Sequence, residues 1–195
     1  MYPFQGEVFL SQEDEYRLEN KKKLINNIFL IRDKVIYPAD LSTKSYIIFY
    51  PTEGYHLSVK QYNSFMGALN KLELLEEVLN IDIEFIDSLG EIGKSEIRRI
   101  SNFSYSDYES ITLLFENCII DEKLRWSICV YQDYWGIMYG SRELLHKISL
   151  EYNFREDLEK FKGEVIATVM NEEVRKEYEI LLSLSYSLVK EHQEL

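Results

Sequence analysis

Cysteine and histidine are scarce in this chain, and the chemistry that depends on them is narrowed accordingly. The cysteines are Cys118 and Cys129, and the histidines are His56, His146 and His192. The eleven-residue step between the cysteines matches no common metal spacing, and a structural zinc site needs several thiolate or imidazole ligands at set intervals. The sequence predicts two small, buried, reduced thiols, which come close only if the strands around them pair. No metal and no cofactor is expected.

Catalytic and nucleotide-binding signatures are missing as well. No G-x-S-x-G occurs, and "GSRE" at 140–143 lacks the second glycine of a nucleophile elbow. The two glycines of "SLGEIGKSE" at 88–96 have the wrong spacing for a phosphate loop. Neither a D-x-D-x-D-G calcium loop nor an H-E-x-x-H helix is present. No run of eighteen apolar residues exists to span a membrane. The opening "MYPFQGEVFLSQEDEYR" shows no basic leader followed by an apolar core. With few cysteines, this predicts the cytosol.

Positive charge is the other shortage. There are 22 Lys and Arg against 34 Asp and Glu, a net charge of −12. Thirteen of the acids fall between Glu73 and Glu122, where only Lys94, Arg98 and Arg99 oppose them. Such a field repels phosphate backbones and anionic lipids and attracts cationic partners. Direct nucleic-acid binding is disfavoured, because it rests on cations contacting phosphates.

What is present is an ordinary globular composition, 46% hydrophobic and 29% charged, and a length suited to one domain over 1–195. Ser11 to Val35 reads as a helix, with Leu24, Ile28, Ile31 and Val35 at helical steps and Pro38 as its stop. "SYIIFYP" at 45–51 reads as a buried strand. Ser58 and Gln61 form a capping box for a helix running to about Leu79. "IDIEFID" at 81–87 alternates like a half-exposed strand. "SNFSYSDYES" at 101–110 reads as an ordered loop leading into a short helix.

The stretch "RWSICVYQDYWGIMYG" at 125–140 holds both tryptophans. Trp126, Ile128 and Val130 share one parity, and Trp135, Ile137 and Tyr139 share another run, with a short polar turn between. This is the pattern of an antiparallel hairpin, with 111–120 as the third strand of a meander. The tryptophans keep step with the aliphatics, so core packing accounts for them. A helix from about Arg142 to Tyr152 follows, and the last third is helical, with Asn171 as a cap. The fold expected is α+β: a small, mainly antiparallel sheet, including a 111–139 meander, packed with helices, 151–195 being its helical C-terminal part.

Three functions are compatible with this. The first is an acidic protein-binding module for a basic partner, similar in composition to bacterial immunity proteins that neutralise a basic toxin. Its candidate contacts are Asp82, Glu84, Asp87, Glu91, Tyr105, Asp107, Tyr108 and Glu109. The second is an enzyme with acid–base chemistry near Glu53 and His56. The third is a scaffold subunit whose last helix packs on a copy of itself.

Overall fold

The structure, a computed structural model, describes residues 29–32, 35–38, 45–76, 78–82, 97–100, 104–110, 116–121, 123, 125–131 and 134–190. Strands β1 (Phe29–Arg32) and β2 (Val35–Pro38) form a two-stranded antiparallel sheet of their own. This corrects the helix expected through Val35. Of the residues counted as a helical stripe there, Ile31 and Val35 belong to two β-branched and aromatic runs, FLIR and VIYP, which suit a pleated surface better than a helix. Residues 11–28 of that expected helix lie outside the described residues.

The main sheet is built from β3 (Ser45–Phe49), β4 (Val78–Asp82), β5 (Ile97–Ile100), β6 (Asn117–Asp121), β7 (Ser127–Val130) and β8 (Gly136–Gly140). Its order is β3-β8-β7-β6-β4-β5, and every neighbouring pair is antiparallel. The 111–139 meander is present as β6-β7-β8, and the α+β class is as the sequence predicts. β4 begins earlier than expected, at Val78, and 83–87 lies outside the described residues.

Helix α1 (Val59–Lys71) starts where its capping box places it. Ser58 accepts from the Gln61 N–H while the Gln61 side chain accepts from the Ser58 N–H. It ends eight residues short of the predicted Leu79. Glu73 adopts φ 56°, a left-handed conformation that stops the helix, and the chain then enters β4. Helix α2 (Tyr105–Glu109) is a single turn. Helices α3 (Arg142–Glu151) and α4 (Phe154–Lys160) follow β8, capped by Ser141 and Asn153. A π-turn (Phe161–Val165) and a 3-10 turn (Ile166–Thr168) lead to α5 (Glu172–Lys190).

Both faces of the central strands are buried. Ile47, Phe49, Val78, Ile119, Trp126, Ile128, Val130 and Met138 pack against α1, α2 and α3. Tyr46, Ile48, Leu79, Ile120, Cys129, Tyr131 and Ile137 pack against α4, the π-turn and α5. The two tryptophans therefore serve opposite layers. Trp126 donates its indole N–H to the Leu74 carbonyl at 3.1 Å. Trp135 stacks on Tyr131 at 4.1 Å and meets Phe161 and Tyr178 edge-on.

Cys118 and Cys129 are register partners in β6 and β7, and they are joined as a disulfide. That overturns the expectation of reduced thiols. Strand pairing brings their Cα atoms to 4.2 Å, and the two are the only cysteines in the chain. Gly136 of β8 lies between Val130 of β7 and Phe49 of β3. A Cβ there would lie 2.1 Å from the Phe49 ring and 2.6 Å from the Cys129 carbonyl, so the position admits only glycine without a backbone shift.

β3 is an edge strand, yet its outer backbone groups are not left open. The Ile48 N–H donates to Ser185 Oγ of α5 at 3.2 Å, and the Tyr50 N–H donates to Asp157 Oδ2 of α4 at 2.8 Å. Side chains from the C-terminal helices occupy the sites that a further strand would use.

Candidate functional site

Two segments about fifty residues apart meet at one end of the sheet. The first follows β3. Glu53 and His56 exchange backbone hydrogen bonds at 2.9 and 3.1 Å, closing a tight turn over Gly54 and Tyr55. Gly54 takes φ 63°, where a glycine is unstrained. The second segment is α2, started by Ser104, whose hydroxyl accepts from the Asp107 N–H and donates to Asp107 Oδ2 at 2.6 Å.

The two tyrosines of α2 hold the backbone of Leu57 between them. The Leu57 N–H donates to the Tyr108 hydroxyl at 2.9 Å, and the Tyr105 hydroxyl donates to the Leu57 carbonyl at 3.4 Å. Tyr62 of α1 stacks on Tyr108 at 4.6 Å and meets Tyr105 edge-on at 5.7 Å. His56 lies edge-on to Tyr108 at 5.3 Å. Behind them, Asn80 donates to Asn117, which donates to the Tyr55 carbonyl, tying β4 and β6 to the same turn.

Electrostatics follow the geometry. Burial, then the Asp107 charge, pushes the Tyr62 hydroxyl up to about 12. Burial also raises Tyr108, and burial with the charges of Glu53 and Glu109 raises Tyr105. The phenols stay protonated at neutral pH. Glu53, Asp107 and Glu109 are exposed, while Tyr55 and Tyr105 are half-buried among them. Residues 50–58 and 104–110 contain no lysine or arginine.

Of the predicted contacts, Tyr105, Asp107 and Glu109 lie on α2 beside the Glu53 turn, with Tyr105 in the field of both Glu53 and Glu109. Tyr108 is fully buried and cannot touch a partner; its work is to anchor α2. Asp82 closes β4 opposite Asn117, at the same end of the sheet. Glu84, Asp87 and Glu91 lie outside the described residues. At the other end of β6 the acids are neutralised. Asp121 is buried and accepts two bonds from the Arg125 guanidinium, at 2.7 and 2.9 Å. Glu76 pairs with Lys123 and Arg125. The expected uninterrupted negative exterior is therefore broken among the described residues, and Glu53, Asp107 and Glu109 are exposed at the opposite end.

Glu53 and His56 do come side by side, through the backbone bridge of their turn. No group of three or more His, Cys, Asp or Glu suited to a metal occurs among the described residues. The apolar stripe of α5, including Tyr178, Leu181, Leu182 and Leu188, is buried against the rest of the fold. No helix among the described residues is long and apolar enough to cross a membrane.

Sequence reasoning missed Asp157. This carboxylate, in the first turn of α4, is buried and accepts from the Tyr50 N–H and the Tyr152 hydroxyl, each at 2.8 Å. Burial pushes its acid up to about 6, opposed by the Tyr50 and Tyr152 bonds, by the Lys60 charge and by Gln61. It fastens the end of β3 to α4. A separate open groove of about 770 Å³ runs between α4, the π-turn and α5, floored by Ile166, Leu182 and Val189 with Arg155, Lys162 and Glu179 on its rims. No protein-family model, no curated protein and no solved structure matches this chain.

Proposed function

We propose that this chain is a protein-binding module that takes a basic protein on the Glu53–Asp107 end of its sheet, in the manner of an immunity-type protein covering the cationic cleft of a toxin such as a nuclease. One observation carries the reading: two remote segments converge to present Glu53, Asp107 and Glu109 around half-buried tyrosines, with no lysine or arginine in either segment. Carboxylates so placed steer a cationic surface into encounter, and tyrosines beside them supply contact area at low entropic cost.

The test compares wild type with the Glu53→Lys/Asp107→Lys/Glu109→Lys variant as bait in extracts of the source cells. The expected result is a protein with an isoelectric point above ~9 held by wild type at about 50 mM salt, released at about 500 mM, and absent from the variant, as the screening of surface charge requires. The same proteins on both baits overturns the reading.

A further inference from the structure

The acidic end contains a buried polar atom that the fold leaves unused. Tyr62 is fully buried, and its hydroxyl has no hydrogen-bond partner among the described residues. An orphaned hydroxyl in a packed site is costly, and natural cores satisfy nearly all such groups. Nothing about the packing of Tyr62 requires the oxygen, since its ring stacks on Tyr108 and meets Tyr105 edge-on as a phenylalanine would.

The orphan belongs to a ring packed against α2, at 4.6 Å from Tyr108 and 5.7 Å from Tyr105, the tyrosines that flank Asp107 in the chain. The Asp107 charge raises the Tyr62 hydroxyl, and Tyr62 and Tyr105 both raise Tyr108. One Asp107 oxygen accepts from Ser104, and no donor among the described residues bonds the other. Tyr105 meets Tyr62 edge-on and is half-buried; its hydroxyl donates to the Leu57 carbonyl at 3.4 Å, near the limit of a useful hydrogen bond, and also interacts with the exposed Glu53 carboxylate.

We propose that Tyr62 and Asp107 together receive one guanidinium group from the basic partner, with Tyr105 turning aside to admit it. The assignment rests on the partner-binding reading above and specifies its chemistry. An arginine fork donates in two directions from one plane, which lets it reach a hydroxyl and a carboxylate at once while its face lies on a tyrosine ring. The Tyr62 oxygen accepts one N–H, and its own proton turns toward Asp107. A lysine ammonium, a compact and strongly hydrated charge, lacks the flat face.

The probe is a labelled hexa-arginine peptide, titrated against the full chain at low salt by fluorescence anisotropy, with hexa-lysine as comparator. Tyr62→Phe removes one oxygen and no charge, so it leaves the long-range field untouched. It is expected to melt at or above the wild-type temperature and to bind hexa-arginine more weakly by about tenfold or more, the usual worth of one charge-assisted hydrogen bond. Asp107→Asn is expected to weaken binding at least as much, while Glu179→Gln, which removes the same charge from the exposed face of α5, leaves it within about twofold.

Equal affinity of Tyr62→Phe and wild type, or equal affinity for the two peptides, overturns the guanidinium site. If the triple lysine variant loses the peptide while Tyr62→Phe does not, the acidic surface stands and the site falls. If the triple variant binds as wild type does, both fall.

Discussion

Replacing Asp157 by asparagine probes what a buried carboxylate does to this fold as pH changes. Asp157 is 6% exposed, and burial holds its acid near 6 where an ordinary aspartate has 3.8. The folded chain thus binds the proton more tightly than the unfolded chain. Stability from this group is fully present below the unfolded value and is lost as pH rises through the folded one. Each pKa unit is worth about 1.4 kcal/mol, so the whole effect is about 3 kcal/mol, of which about 1.4 kcal/mol falls between about pH 5 and about pH 7.5. Asparagine keeps an oxygen where Oδ2 accepts from Tyr50 and Tyr152 and carries no ionisable proton. The assay is urea unfolding followed through the buried Trp126 and Trp135. Relative to wild type, Asp157→Asn gains about 1.4 kcal/mol across that pH range. A difference independent of pH refutes the raised acid. A variant that loses ground as pH rises shows instead that Asp157 is held as an anion by its donors, with the sign reversed.

Ser185→Ala strips the acceptor from the Ile48 N–H on the edge of β3, and the same urea assay is expected to show a loss of about 1–2 kcal/mol, the cost of an unsatisfied buried donor. Gly136→Ala drives a methyl into Phe49 and the Cys129 carbonyl; a loss of about 3 kcal/mol or failure to fold is expected, and wild-type stability contradicts the close approach. Alkylation of the unfolded, unreduced chain is expected to add no label to Cys118 or Cys129, and reduction is expected to lower stability by about 3 kcal/mol for a loop of this length; two labelled thiols before reduction contradict the bridge.

Local chemistry was readable where the signal and the structure lie within a few residues of each other. Ser58 with Gln61, Ser141 and Asn171 mark helix starts because a capping oxygen must sit two or three residues from the N–H it accepts. The period-two runs around the tryptophans gave β7 and β8 for the same reason. Stops were harder. Leu72, Leu75 and Leu79 continue the spacing of α1, yet Leu72 and Leu75 pack beside one layer and Leu79 against the other. A leucine every three or four residues does not say that the chain has turned from helix to strand between them. Alternation places Ser127, Cys129 and Tyr131 on the side of β7 opposite Trp126 without saying what covers it; a second helical layer buries that side too.

The candidate site was legible in its parts and not in its assembly. Glu53 with His56 and Tyr105 with Asp107 were separate suggestions, and nothing in either stretch encodes the Leu57 backbone bonds that join them. The same holds for polar residues whose role depends on a distant strand. Ser183, Ser185 and Ser187 look alike on paper as weak helix formers. Ser183 and Ser187 face outward, but Ser185 is buried against β3 and covers one of its edge donors, as Asp157 covers another. A chain that ends its sheet on an uncovered strand risks pairing with its neighbours. Here the covering groups come from α4 and α5, more than a hundred residues after the strand they protect. The C-terminal helices therefore close the sheet at β3, and the surface proposed to meet a partner is a different one, where the turn after β3 meets α2.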